Sequence, residues 1–309
     1  MSEFSGGPGA IEPDPSLIGG IAQPPLAVLP DPATLFAKRA QRFRDLAPHS
    51  ELRPYLLFLA DLVQAQHDIQ DGLPEPSVPD ETARKRAAEF AMPPLDRSQF
   101  TFDDAFGTTF DRLLKTMQGV EKPEAAQNAL DALVRATPVA REAMILNVLA
   151  DSIPVEAMAE HVYVAAALQV HFARLSARLD ADRLVNVGDG LCPSCGGPPV
   201  SSLIVEWPSA PGARYCACAL CGTLWNQVRV RCVFCGSTKG IGLQEVEGAS
   251  GVAKAETCDT CHSYSKLFYQ NKDPAAEPVA DDVAWLGLDL LMRDGPYRRG
   301  TFNPFLLGY

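Results

Sequence analysis

CPSC at Cys192–Cys195, CALC at Cys218–Cys221, CVFC at Cys232–Cys235 and CDTC at Cys258–Cys261 decide how this 309-residue chain reads. The first and second pairs are 22 residues apart, as are the third and fourth, and each cysteine of the second set lies 40 positions after its counterpart. Repeated spacing of this kind marks a duplicated structural unit. Two residues between cysteines let one tight turn aim both sulfurs at a single ion, and two such turns complete a tetrahedral set. Gly196, Gly222 and Gly236 follow three of the turns, where the chain needs a positive φ, and His262 stands at the fourth.

All nine cysteines fall between positions 192 and 261. In a reducing compartment such an island indicates metal binding rather than disulfides. A thioredoxin-type dithiol would open the helix of a βαβ unit, a pattern that does not surround these pairs. Sequential pairing gives one site from Cys192, Cys195, Cys218 and Cys221 and another from Cys232, Cys235, Cys258 and Cys261. A cross-braced sharing of the pairs is the other arrangement the spacing allows. Cys216 reads as a strand residue beside the second knuckle, with a substitute ligand or reactive thiol as the alternatives. Four sulfurs accept zinc or iron, and on general grounds zinc is the commoner. Arg229, Arg231, Lys239 and Lys254 lie near the knuckles and could offset the negative charge of four thiolates.

Outward from this island, the N-terminal side is helical. Residues 1–32 are rich in Pro and Gly and read as a flexible tail, ordering at most near Pro24–Leu29. Asp31-Pro32 is a helix start, followed by an apolar stripe through Leu35, Phe36, Ala40 and Phe43. Arg39, Arg42 and Arg44 flank that stripe and read as a solvated face. Further helices are expected over 50–66, 81–90, 103–117, 123–136, 138–153 and 154–179. His161 and His171, on the last of these, read as core or partner-facing residues rather than as a metal pair. Strands are expected at Val200–Trp207, Thr223–Val230, Ile241–Val246 and Tyr264–Tyr269, and a helix at Asp281–Met292. Trp225 and Tyr264 are expected to pack against the metal sites.

The fold class is thus α+β and multidomain. A tail (1–32) precedes an α-helical domain (33–185). Two tandem rubredoxin-like or zinc-ribbon-like four-Cys modules follow (186–230 and 231–273), then a short C-terminal helix and tail (274–309). Lys and Arg number 27 against 38 Asp and Glu, a net charge of −11. That balance disfavours general binding to nucleic acid or anionic membrane. No apolar run reaches the ~20 residues of a membrane helix. Met1–Gly9 carries no Lys or Arg, so an export signal is not expected and the expected location is the cytoplasm. No Ser-His-Asp order, phosphate loop or dinucleotide fingerprint is present, so an enzyme is not expected.

"CPSCGGPPVSS" from Cys192, "CALCGTLWNQVRVRCVFCGS" from Cys218 and "AETCDTCHSYSKLFYQNKDP" from Ala255 resemble the formate dehydrogenase accessory protein FdhE family. So do "RAQRFRDLA" from Arg39, "YLLFLADLVQAQ" from Tyr55, "YVAAALQVHFARL" from Tyr163, "VADDVAWLGLDLLM" from Val279 and "NPFLL" from Asn303. The resemblance covers roughly residues 24–309 and is loose over 71–155. It implies a non-catalytic maturation factor needed for active respiratory, molybdenum-dependent formate dehydrogenase. Such a factor acts in the cytoplasm on the catalytic subunit before export, and self-association is compatible with it. It also implies rubredoxin-like sites at the eight knuckle cysteines, with two metal ions, iron favoured over zinc. Cys216 departs from a simple eight-cysteine scheme. A zinc-ribbon nucleic-acid-binding protein and an iron-based electron-transfer protein are the alternative readings.

Overall fold

The computed structural model describes residues 24–306. Its first half is helical: α1 (Pro32–Leu46), α2 (Arg53–Asp68), α3 (Glu81–Glu89), α4 (Asp104–Gln118), α5 (Glu124–Arg135), α6 (Pro138–Leu149) and α7 (Met158–Ser176). The helix starts follow local chemistry. Asp31, Asp80, Asp103 and Thr137 each accept a hydrogen bond from a backbone N–H of the first turn, and Pro32 and Pro138 occupy positions where no N–H is needed. Helix α7 is the hub. Of its 19 residues 15 are buried, so the apolar stripe read from the sequence is only part of a helix enclosed on nearly all sides.

The second half is an eight-stranded sheet. In order along it lie β1 (Ala27–Val28), β4 (Leu224–Gln227), β3 (Ala210–Cys218), β2 (Pro199–Trp207), β7 (Ser263–Tyr269), β6 (Ala253–Cys258) and β5 (Ile241–Gln244), with β8 (Arg298–Arg299) also on β7. β2–β3–β4 and β5–β6–β7 are the two antiparallel ribbons of the repeat. They join edge to edge through a parallel pairing of β2 with β7, Ser202 opposite Leu267 and Ile204 opposite Tyr269. The tandem modules therefore share one sheet, because each ribbon closes the other's open edge.

The segment around Pro24–Leu29, read as the rim of a tail, supplies β1, where Ala27 pairs with Trp225. Residues 1–23 lie outside the described residues. The C-terminal helix expected at 281–292 is two helices, α8 (Pro278–Ala284) and α9 (Leu286–Met292), which meet at Trp285. Lys266 sits at the junction. Its buried ammonium donates to the carbonyls of Asp282 and Trp285 and to the Asp289 carboxylate, bridging the two helices.

Arg39 and Arg42 are not solvated. Arg39 pairs with Glu277 at 2.9 Å, and Arg42 pairs with Asp273 and Asp281 at 2.6 Å. Both side chains are buried where α1 packs on α8. A one-dimensional charge pattern could not reveal acidic partners more than 230 residues away. Arg44 stays half-exposed beside Asp61. One hydrophobic core runs from the helices through Val200, Trp225 and the first four knuckle cysteines, so the helical region and the first ribbon are a single packed body. A smaller cluster spans the two ribbons, with Leu203, Val205 and Tyr215 against Ala253 and Phe268, and another lies around Tyr264 in the second ribbon.

Candidate metal centres

The eight knuckle sulfurs gather into two quartets, Cys192/195/218/221 and Cys232/235/258/261, in each of which all sulfurs lie within 4.8 Å of one another. The grouping is sequential, not cross-braced. Each hairpin loops back so that its two knuckles face each other across the strand ends. Within a quartet the inner and outer cysteines pair alike. Cys192–Cys221 is 3.6 Å and Cys195–Cys218 is 3.4 Å; Cys232–Cys261 is 3.6 Å and Cys235–Cys258 is 3.7 Å. A disulfide would be near ~2.05 Å. A tetrahedron of sulfurs around an ion at ~2.3 Å has edges near ~3.8 Å. The spacing of both quartets fits a four-coordinate ion.

The turn chemistry agrees. Gly196, Gly222 and Gly236 have φ of 73°, 75° and 69°, and His262 reaches the same region at 54°. The knuckles close on backbone bonds such as Gly196 N–H to Cys192 O at 2.8 Å and His262 N–H to Cys258 O at 2.8 Å. Their amides also point at sulfur. Leu220 and Cys221 N–H lie 3.4 Å from Cys218 Sγ, and Phe234 N–H lies 3.4 Å from Cys232 Sγ. Such donors stabilise thiolates and tune a bound ion. Burial pushes the Cys192 thiol well up. Burial acts the same way on Cys221, but hydrogen bonds with the other thiols and with Thr223 outweigh it and hold that thiol well below the ordinary range. In the second quartet hydrogen bonds from the Cys261 and Thr260 amides overcome burial and bring Cys258 to about 7. Each quartet thus readily yields a first thiolate, the form that ligates metal.

Two of the charges expected to balance the thiolates have carboxylate partners, and Arg231 also donates to Gly236 O in the third knuckle at 3.1 Å. Arg231 pairs with Asp189 at 3.0 Å and Lys254 with Glu245 at 2.8 Å. The cation near the first quartet is Arg97, from the segment between α3 and α4. Its side chain packs by Gly197 beside Cys195 and Cys218, and its backbone N–H donates to Cys195 O at 3.1 Å. Burial works against its charge, but Asp151, Cys195 and Cys218 raise its pKa above the usual value. Nothing in the spacing of the sequence singles Arg97 out, because it lies about a hundred residues from the cysteines it approaches.

Cys216 joins neither quartet. It is buried in β3 opposite Trp225, with Sγ 3.3 Å from Ser202 Oγ, and burial raises its thiol. His161 Nδ1 donates to Ala157 O at 2.6 Å, while His171 sits among the rings of Phe100, Phe106 and Phe172. Neither belongs to a metal-binding group among the described residues. Trp225 is buried beside Cys216, and Tyr264 donates to Asp289 at 2.8 Å, an anchor for α9 rather than for an ion.

Comparison with known proteins covers the same ground. The FdhE N-terminal model matches residues 24–189, the FdhE central domain 191–229 and the FdhE C-terminal domain 230–306. An FdhE homolog of Rhizobium meliloti strain 1021 is 48% identical over 301 residues, 97% of this chain and 98% of its own. An FdhE homolog of Haemophilus influenzae strain PittEE is 32% identical over 289 residues, 92% of each chain. The crystal structure of FdhE from Pseudomonas aeruginosa aligns with a TM-score of 0.82 at 30% identity, covering 92% of this chain and 99% of that one. With all three family segments present in order around two complete sulfur quartets, the chain belongs to the FdhE family.

Proposed function

We propose that this protein is an accessory factor for formate dehydrogenase, needed to produce the active enzyme and not itself a catalyst. It acts in the cytoplasm, where it contacts the catalytic subunit of the respiratory, molybdenum-dependent enzyme before export. The observation that carries the reading is likeness to FdhE proteins along nearly the whole chain, with both cysteine quartets intact. In this reading the quartets hold two ions, Cys192, Cys195, Cys218 and Cys221 around one and Cys232, Cys235, Cys258 and Cys261 around the other. Iron is the metal in the cell. Bound there, an ion cross-links the two knuckles of its quartet and so supports the fold of each ribbon. No described helix is long and apolar enough to cross a membrane. The nucleic-acid alternative is disfavoured by the net charge of −11 and because Arg231 and Lys254, two of the four cations near the knuckles, are paired with Asp189 and Glu245.

The test is a deletion in the native host, complemented with the wild-type gene or with Cys192→Ser. Loss of respiratory formate oxidation, restored by the wild type, is expected. Pull-down of the tagged protein should recover the catalytic subunit. A deletion strain that oxidises formate normally would refute the proposal. Anaerobic elemental analysis separates the metals: iron gives visible thiolate-to-metal absorption, and zinc gives none.

A further inference from the structure

The two quartets share one geometry but not one environment. In the first, Cys192, Cys195 and Cys221 are fully buried and Cys218 is 1% exposed. The helical region closes over it from three directions. Leu35 of α1 lies 2.9 Å from the point where a Cβ on Gly222 would stand, and Pro93 lies 3.1 Å from that point on Gly196. Leu95 N–H donates to Ser194 O and Arg97 N–H to Cys195 O, which fixes the first knuckle. Gln169 of α7 donates to Ala219 O at 2.8 Å, and Ser176 of α7 meets Thr223, which in turn bonds Ser194, inside the second knuckle. Every backbone turn around this quartet is therefore part of the main core.

The second quartet is covered only in part: Val233 and Phe234 pack on the main core, and Arg298 N–H donates to His262 O at 2.8 Å. Cys232 and Cys258 are buried, but Cys235 is exposed and Cys261 partly so. Of the residues bonded across its outer face, Thr260 is exposed and Ser237 half-buried, and His262 is exposed. The sulfur spacings of the two quartets differ by no more than 0.3 Å (3.4 to 3.7 Å), so coordination geometry does not separate them. Access does.

From this we infer that the two centres have different roles. The first is a sealed structural centre that fastens the sheet to the helices. The second is an open centre that exchanges its ion with the surroundings while the protein stays folded, through the sulfurs of Cys235 and Cys261. A chelator or thiol reagent reaches those two sulfurs directly. It reaches the first quartet only after the α1, α7 and Pro93–Arg97 contacts open, and such openings draw on core stability. The inference rests on the reading of both quartets as metal centres and adds a division of labour to it.

The experiment uses the full-length chain loaded with zinc under anaerobic conditions. Excess EDTA and iodoacetamide are added together, and samples are followed by native mass spectrometry, peptide mapping of alkylated cysteines and far-UV circular dichroism. One ion is expected to leave first, with alkylation at Cys232, Cys235, Cys258 and Cys261 and no loss of helical signal. The second ion and the Cys192, Cys195, Cys218 and Cys221 thiols should persist roughly 100-fold longer, or until denaturant is added. In parallel, Cys235→Ser should yield a folded chain carrying one ion. Loss of both ions at one rate, retention of both in native buffer, or earlier alkylation of the first quartet would overturn the inference. A chain whose starting mass shows no ion refutes the metal reading itself, a failure visible before any chelator is added, and removes the inference with it.

Discussion

Arg214→Met removes a guanidinium that ties the first ribbon to the second. Arg214, in β3, is fully buried and pairs with Glu256 of β6 at 2.8 Å; the Glu256 side chain is 5% exposed. Arg214 also donates to Arg231 O and to Ser202 Oγ, each at 3.2 Å. Truncating one partner of such a buried pair costs about 3–5 kcal/mol, since the remaining charge stays buried without its counter-charge. Glu256→Leu should cost a similar amount. In the double variant Arg214→Met/Glu256→Leu no charge is stranded, and what remains is about 1–2 kcal/mol for the two acceptors left without a donor. The double-mutant cycle therefore predicts a coupling of about 3 kcal/mol or more. Urea unfolding of the metal-loaded chain, followed by circular dichroism and tryptophan fluorescence, measures all four species. Burial already raises the Glu256 carboxyl even though Arg214 lowers it. Without Arg214 the neutral acid is favoured in the folded state, a raised folded pKa whose stabilising effect fades as pH climbs through it. The Arg214→Met deficit should thus be smaller near about pH 5 than near about pH 8. Costs that simply add, or a single variant that loses less than about 1 kcal/mol, would show that the pair does not join the ribbons.

Two further outcomes follow from local chemistry. His262 occupies the left-handed position that glycine fills in the other three knuckles, at φ 54° and on the surface, so His262→Gly should stabilise the chain by about 0.5–1 kcal/mol; a lowered melting temperature would contradict this. His171 is held at about 4, first by burial and further by Arg174, with Asp103 opposing; its ordinary value is 6.5. A depressed folded value means full stability above the unfolded pKa and loss as pH falls. Between about pH 7.5 and pH 5 this one ring should cost about 2 kcal/mol, a loss that His171→Phe abolishes and that denaturant midpoints at the two pH values would reveal.

The cysteine spacing and its repeat identified the eight sulfurs as four knuckles, because a CxxC turn is a local structure, and the 22-residue gaps favoured sequential pairing, which the structure then separated from cross-bracing. Helix starts were equally legible: Asp31-Pro32, Asp103 and Thr137-Pro138 carry their own caps. Only the tertiary structure showed that the ribbons share a sheet through β2 and β7, that Arg39 and Arg42 are buried against α8, and that Arg97 is the cation beside the first quartet. It also decided which quartet is covered and which is open. These features depend on residues tens to hundreds of positions apart meeting in space. The two halves of the repeat have the same spacing, so nothing within either motif could say which one the helices would enclose.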